Sequence, residues 1–219
     1  MLASPRFLCL LFALTAIGSE AYADSDGPCC RPVPHWYAAL GGGIVFLNSS
    51  DIKTQGTTVQ SQGFDSGLGF SAAVGYRFNS GWRTELELAY RDNPISTIGG
   101  QSPPSGQTFK DQTSLATMVN GYYDFRNRSA ITPYLGAGLG EARVSNPQGG
   151  GVVALKAWTP AYQLMVGASY TIPNTPLEGF FGYRFFGCQD PSIRASSGSD
   201  YRFSNNANIL ELGARIFFK

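Results

Sequence analysis

Residues Trp82 to Arg91 alternate without a break. Trp82, Thr84, Leu86, Leu88 and Tyr90 fall on one parity, and Arg83, Glu85, Glu87, Ala89 and Arg91 on the other. A period of two is the strand period, so one face is apolar with an aromatic near each tip and the other is charged. Ten residues at about 3.3 Å each, tilted by roughly 40°, reach about 25 Å, the height of a membrane barrel's apolar band. A soluble sandwich also alternates, but its apolar face rarely carries aromatics at both ends. The pattern predicts a strand with lipid on one side and a polar interior on the other.

Eight such runs follow one another from Trp36: 36–47, 67–79, 82–92, 113–125, 133–145, 158–172, 177–187 and 207–218. In the second, Leu68, Phe70, Ala72, Val74, Tyr76 and Phe78 oppose Gly69, Ser71, Ala73, Gly75 and Arg77. In the last, Leu210, Leu212, Ala214, Ile216 and Phe218 oppose Glu211, Gly213 and Arg215. Runs one and five are interrupted by Gly41-Gly42-Gly43 and by Gly136, Gly138 and Gly140, and periodicity does not fix which face meets lipid. We assign their glycines inward, where small residues suit a crowded lumen.

The connections alternate in length. Those at 79–81, 126–132 and 173–176 are short, whereas 48–66, 93–112, 146–157 and 188–206 are long and rich in Ser, Gly, Gln, Asn and Pro. Strict alternation of short turns and long loops is the order of an up-and-down membrane barrel. The fold class expected for 36–219 is therefore all-β, an eight-stranded antiparallel up-and-down transmembrane β-barrel. Aromatics fall into two tiers under this topology. Trp36, Phe78, Trp82, Phe125, Tyr170 and Phe218 lie near the short-turn ends, and Phe46, Phe70, Tyr90, Trp158 and Phe185 near the long-loop ends. Amphipathic rings prefer the two membrane interfaces.

Residues 1–23 read as a signal peptide, with Arg6, an apolar stretch from Phe7 to Ile17, and Ala21-Tyr22-Ala23 as cleavage site. Residues 24–35 read as a linker on the periplasmic side. The formal net charge of +1 gives no argument for nucleic acid. Cys29, Cys30 and Cys188 survive cleavage, an odd number whose pairing stays open; a Cys29–Cys188 bridge would have to cross the membrane height. Zinc binding by Cys29, Cys30 and His35 lacks a fourth ligand and the usual spacing. No metal or cofactor is expected. Gly136-Ala137-Gly138-Leu139-Gly140 has no βαβ context and is not a dinucleotide fingerprint.

The inward parity collects Arg77, Arg83, Arg91, Arg184 and Arg215 against Glu85, Glu87, Asp124, Glu178 and Glu211. An eight-stranded barrel is only wide enough for side chains to fill it, and unpaired buried charges are costly. These ten residues are expected to pair as a structural lumen network. Counted from their strand ends, Arg184 and Glu211 reach nearly the same depth and should meet.

The motifs Gly-Tyr-Arg-Phe (75–78), Tyr-Tyr-Asp-Phe (122–125), Pro-Tyr-Leu-Gly-Ala-Gly-Leu-Gly (133–140) and Gly-Tyr-Arg-Phe-Phe (182–186), with the terminal strand, carry a resemblance. Over 36–219 the chain resembles the small eight-stranded outer-membrane barrels of Gram-negative bacteria, the OmpA/OmpX-like and opacity-type porin-like surface proteins. The final Lys219 departs from a family that ends on an aromatic. The resemblance implies an outer-membrane monomer among lipid and lipopolysaccharide, with a structural or surface-interaction role and extracellular ligands met by loops 48–66, 93–112, 146–157 and 188–206. The alternative is a narrow passive channel for ions or small solutes. A lipid-modifying barrel enzyme would need a His–Ser pair at the outer rim. The single histidine, His35, lies at the opposite end, so no catalytic residue is assigned.

Overall fold

The computed structural model describes residues 35–48, 50–54, 57–98, 100–104, 111–146, 155–189, 192–194, 200–202 and 206–218. The signal peptide, the linker up to residue 34, Cys29 and Cys30 lie outside the described residues. Thirteen strands occur among them: β1 (His35–Leu47), β2 (Ser50–Thr54), β3 (Thr57–Phe64), β4 (Gly67–Arg77), β5 (Trp82–Asn93), β6 (Ile95–Ile98), β7 (Gln112–Asp124), β8 (Ile131–Asn146), β9 (Leu155–Thr171), β10 (Leu177–Cys188), β11 (Ser192–Arg194), β12 (Asp200–Arg202) and β13 (Asn206–Phe217).

Eight of them close a barrel in the order β1-β13-β10-β9-β8-β7-β5-β4, every pair antiparallel. Each barrel strand matches one of the eight alternating runs, with ends shifted by a few residues. His35, expected in the linker, already pairs with Arg77 as the first residue of β1. Cys188, expected beyond its strand, is the last residue of β10 and is buried.

The wall faces follow from period two. Leu86, Leu88 and Tyr90 of β5 are exposed, while Arg83, Glu85, Glu87 and Arg91 are buried. The same split assigns the two uncertain strands. Gly41, Gly43, Gly136, Gly138 and Gly140 share the inward parity as expected, but Gly42 falls between two inward residues and faces out beside Phe70. On β1, Leu40 and Ile44 point out while Tyr37 and Val45 point in; on β8, Leu135 and Leu139 point out while Tyr134 and Val144 point in. The inward glycines have a steric cause. A Cβ at Gly75 would collide with the Tyr37 ring, and one at Gly167 with the Tyr134 ring, so these positions admit only hydrogen where a tyrosine crosses the lumen. At the short-turn rim the outer rings pack edge to face, Trp36 on Tyr76 and Tyr76 on Phe78, then Trp82 on Tyr123 and Tyr123 on Phe125. Centroid separations there run from 4.9 to 5.2 Å.

The long connections carry structure of their own. Strands from 48–66, 93–112 and 188–206 form a second, five-stranded sheet in the order β11-β12-β2-β3-β6. Residues far apart in sequence pair directly there, such as Arg202 with Lys53. The fourth connection is shortened, because β8 and β9 stay paired as far as Asn146 and Leu155.

Candidate functional site

The lumen is filled from the short-turn end upward. Lowest, Glu178 lies 2.8 Å from Arg77 Nη2 through both carboxylate oxygens and 2.8 Å from Arg215 Nη1. Beside it Arg83 Nε donates to both oxygens of Asp124, at 3.0 and 2.9 Å, and its Nη1 donates to Glu85 at 3.0 Å. Tyr37 donates its hydroxyl proton to the same Glu85 oxygen at 2.6 Å. Arg215 Nε reaches Glu85 at 3.7 Å, joining the two groups. Aromatic faces fill the gaps: Arg77 sits 4.3 Å from the Phe217 centroid, Arg83 4.4 Å from Tyr122 and Arg215 4.3 Å from Phe180. Such contacts suit guanidinium, which is planar and weakly hydrated.

Half-way up, Arg184 takes two carboxylates. Its Nη1 lies 2.5 Å from Glu87 and its Nη2 2.9 Å from Glu211. Glu211 pairs in register with Gly182 and Arg184 with Ile209, so the two meet diagonally across β10 and β13. Gln163 and Asn120 complete the ring: Gln163 donates to Asn120 at 2.7 Å, and Asn120 donates to the second Glu87 oxygen at 3.1 Å.

Above this level the chemistry changes. Inward positions on β1, β7, β8, β9, β10 and β13 hold Val45, Met118, Val144, Ala161, Phe186 and Ile209, which pack as one apolar cluster with Ala116, Ala142, Cys188 and Ala207. Arg91 enters this layer from β5. Its guanidinium lies 3.9 Å from the Phe186 centroid, and no carboxylate of the described residues comes within ion-pair distance. All ten lumen charges are buried, but Arg91 departs from the expected one-for-one matching. The reason is geometric: Arg184 holds both nearby carboxylates, and Arg91 stands among apolar neighbours higher up. Little space remains inside. One cleft of about 20 Å³ touches Arg91, Arg184 and Glu211, and another of about 10 Å³ touches Glu85, Glu87 and Arg215. Each is on the scale of a single water.

The residues overlooked in the sequence are the neutral ones, Tyr37, Asn120, Gln163 and the apolar cluster. Their signal was the inward parity itself, which places Asn120 in line with Asp124 on β7.

The comparisons with known proteins agree with this geometry. The model of the outer membrane protein beta-barrel domain matches residues 9–219. The chain belongs to that family. Its barrel is thus an outer-membrane barrel, with the short turns periplasmic and the long connections extracellular. An uncharacterised protein of Brucella abortus is 29% identical over 90% of this chain and 82% of its own length. A putative adhesin of Rickettsia conorii is 24% identical over 89% of this chain and 86% of its own. Among solved structures, Neisserial surface protein A superposes with a TM-score of 0.53 at 20% identity, covering 84% of this chain and 97% of that one, a likeness of fold.

Proposed function

We propose that this outer-membrane barrel is a closed scaffold, without enzymatic activity, whose extracellular sheet meets molecules outside the cell. The observation that carries the reading is the division of labour in the chain. The lumen is packed with ion pairs and an apolar layer, while three of the four long connections combine into one sheet. Packing of this kind opposes passage of solutes, and loops on a rigid scaffold carry recognition. The relative named a putative adhesin supports the same direction. Lipid and lipopolysaccharide surround the wall, and the barrel acts as a monomer.

The test has two arms. Refolded protein in liposomes should give no swelling with sugars; swelling would install the passive channel instead. Cells displaying the wild type should adhere to mammalian cells or matrix glycans. A variant with 50–64 and 192–202 each replaced by a short Gly-Ser turn should fold equally well and lose adhesion. Equal adhesion by both would refute the role of the sheet.

A further inference from the structure

The lipid-facing parity of the eight strands carries two basic residues among the described ones, Arg143 of β8 and Lys156 of β9. Arg77, Arg83, Arg91, Arg184 and Arg215 all point inward, whereas Arg143 of β8 is exposed. Its position is not arbitrary. Outward residues of β8 run Ile131, Leu135 and Leu139 through the apolar band, then turn polar at Glu141 and Arg143. Twelve residues from Ile131 at about 3.3 Å, tilted by roughly 40°, set Arg143 about 30 Å above the periplasmic rim, at the outer headgroup level.

Arg143 pairs in register with Trp158, an aromatic of the extracellular belt that is itself 60% exposed. The guanidinium carbon lies 6.0 Å from the indole centroid. Glu141, two residues deeper on the same face, is not within ion-pair distance of it. Two residues outward on the same parity, Ser145 pairs with Lys156, so the register places the second basic residue on the next rung of that face. An arginine whose stem lies along an apolar wall, beside an indole and without a carboxylate partner among the described residues, offers its planar donors to whatever anion lies at that depth.

We propose that Arg143 and Trp158 form a docking site for the phosphorylated headgroup of lipopolysaccharide in the outer leaflet, the guanidinium holding a phosphate and the indole packing on the glucosamine. The site rests on the outer-membrane placement of the barrel but not on the role of its extracellular sheet. Guanidinium matches phosphate with two parallel hydrogen bonds, which an ammonium cannot do. Arg143 then fixes the outer edge of the barrel against the leaflet through a specific lipid rather than through general surface charge.

The experiment uses the full chain refolded into phosphatidylcholine vesicles containing diphosphorylated lipid A, dephosphorylated lipid A, or phosphatidylglycerol at matched charge. With diphosphorylated lipid A, the urea midpoint of the wild type should rise and the emission of Trp158, read in a Trp36→Phe/Trp82→Phe variant, should shift. Arg143→Gln should abolish the midpoint rise and Arg143→Lys should keep part of it, both folding normally in phosphatidylcholine alone. An equal rise with phosphatidylglycerol, an equal effect of inorganic phosphate added to phosphatidylcholine vesicles, or an unchanged response in Arg143→Gln would each overturn the site. Failure of the wild type to insert into any vesicle, seen as loss of heat-modifiable migration, would overturn the barrel's membrane placement and this site together.

Discussion

The two halves of the lumen solve one problem with opposite chemistry. The periplasmic half fills its cross-section with guanidinium, carboxylate and phenol, each anchored by several partners. The extracellular half fills the same cross-section mainly with Val45, Met118, Val144, Phe186 and Ile209, with the guanidinium of Arg91 laid over the Phe186 ring. Both exclude water, but they fail differently. A carboxylate removed from the lower half leaves buried guanidinium groups short of a partner, whereas a methyl removed from the upper half leaves a small void. The lower half therefore makes register specific, since only one alignment matches the charges. The upper half closes the lumen without that demand.

The largest expected effect lies at the boundary. Arg184→Leu strands both Glu87 and Glu211 and should cost about 3–5 kcal/mol in urea titrations of vesicle-inserted protein. Glu211→Gln should cost less, because Arg184 keeps Glu87. Equal losses would show that the arginine is not shared and that the lower half does not end where we place it. Next, Leu86→Arg on the lipid face should lose about 2–4 kcal/mol, with Leu68→Arg losing less because it sits nearer the outer interface. Equal losses would mean the two halves are misplaced against the bilayer. In the upper half, Val144→Ala should cost about 1–3 kcal/mol, and its effect should add to that of Arg184→Leu within roughly 0.5 kcal/mol. A strong coupling would merge the halves into one unit. The smallest effect is expected at the periplasmic turn, where Arg126 donates to the carbonyls of Phe78 and Asn79. Arg126→Ala should cost less than about 1 kcal/mol, because those carbonyls turn to water instead. A larger loss would extend the lower network beyond the lumen.

The barrel strands were legible because lipid outside and charge inside write contrasting residues onto alternate positions. That contrast is strongest in β5, where Leu86 and Glu87 stand side by side, and it located the lumen charges as well. It vanishes in the upper lumen. On β1, Ile44 faces out and Val45 faces in, both apolar, so an interior assumed to be polar throughout left no place for the apolar cluster. The extracellular sheet was hidden for another reason. Thr57-Thr58-Val59-Gln60 carries β-branched residues but no alternation, and although β3 pairs with β2 inside its own loop, the joins that complete the sheet, β3 to β6 and β12 to β2, link different loops. Nothing local announces such pairings. Arg91 was placed on the right face by parity, but its lack of a carboxylate depends on how long side chains from four strands divide the space.

The ion pairs of the lower lumen join strands distant along the chain: Arg77 to Glu178 across 101 positions, Arg184 to Glu87 across 97. A ribbon of these strands still open in the bilayer would present its guanidinium groups to hydrocarbon with few of these partners in reach. Partial assemblies are thus penalised until β13 zips to β1, and the chain is expected to insert and close in one cooperative event, slowly, as high contact order dictates.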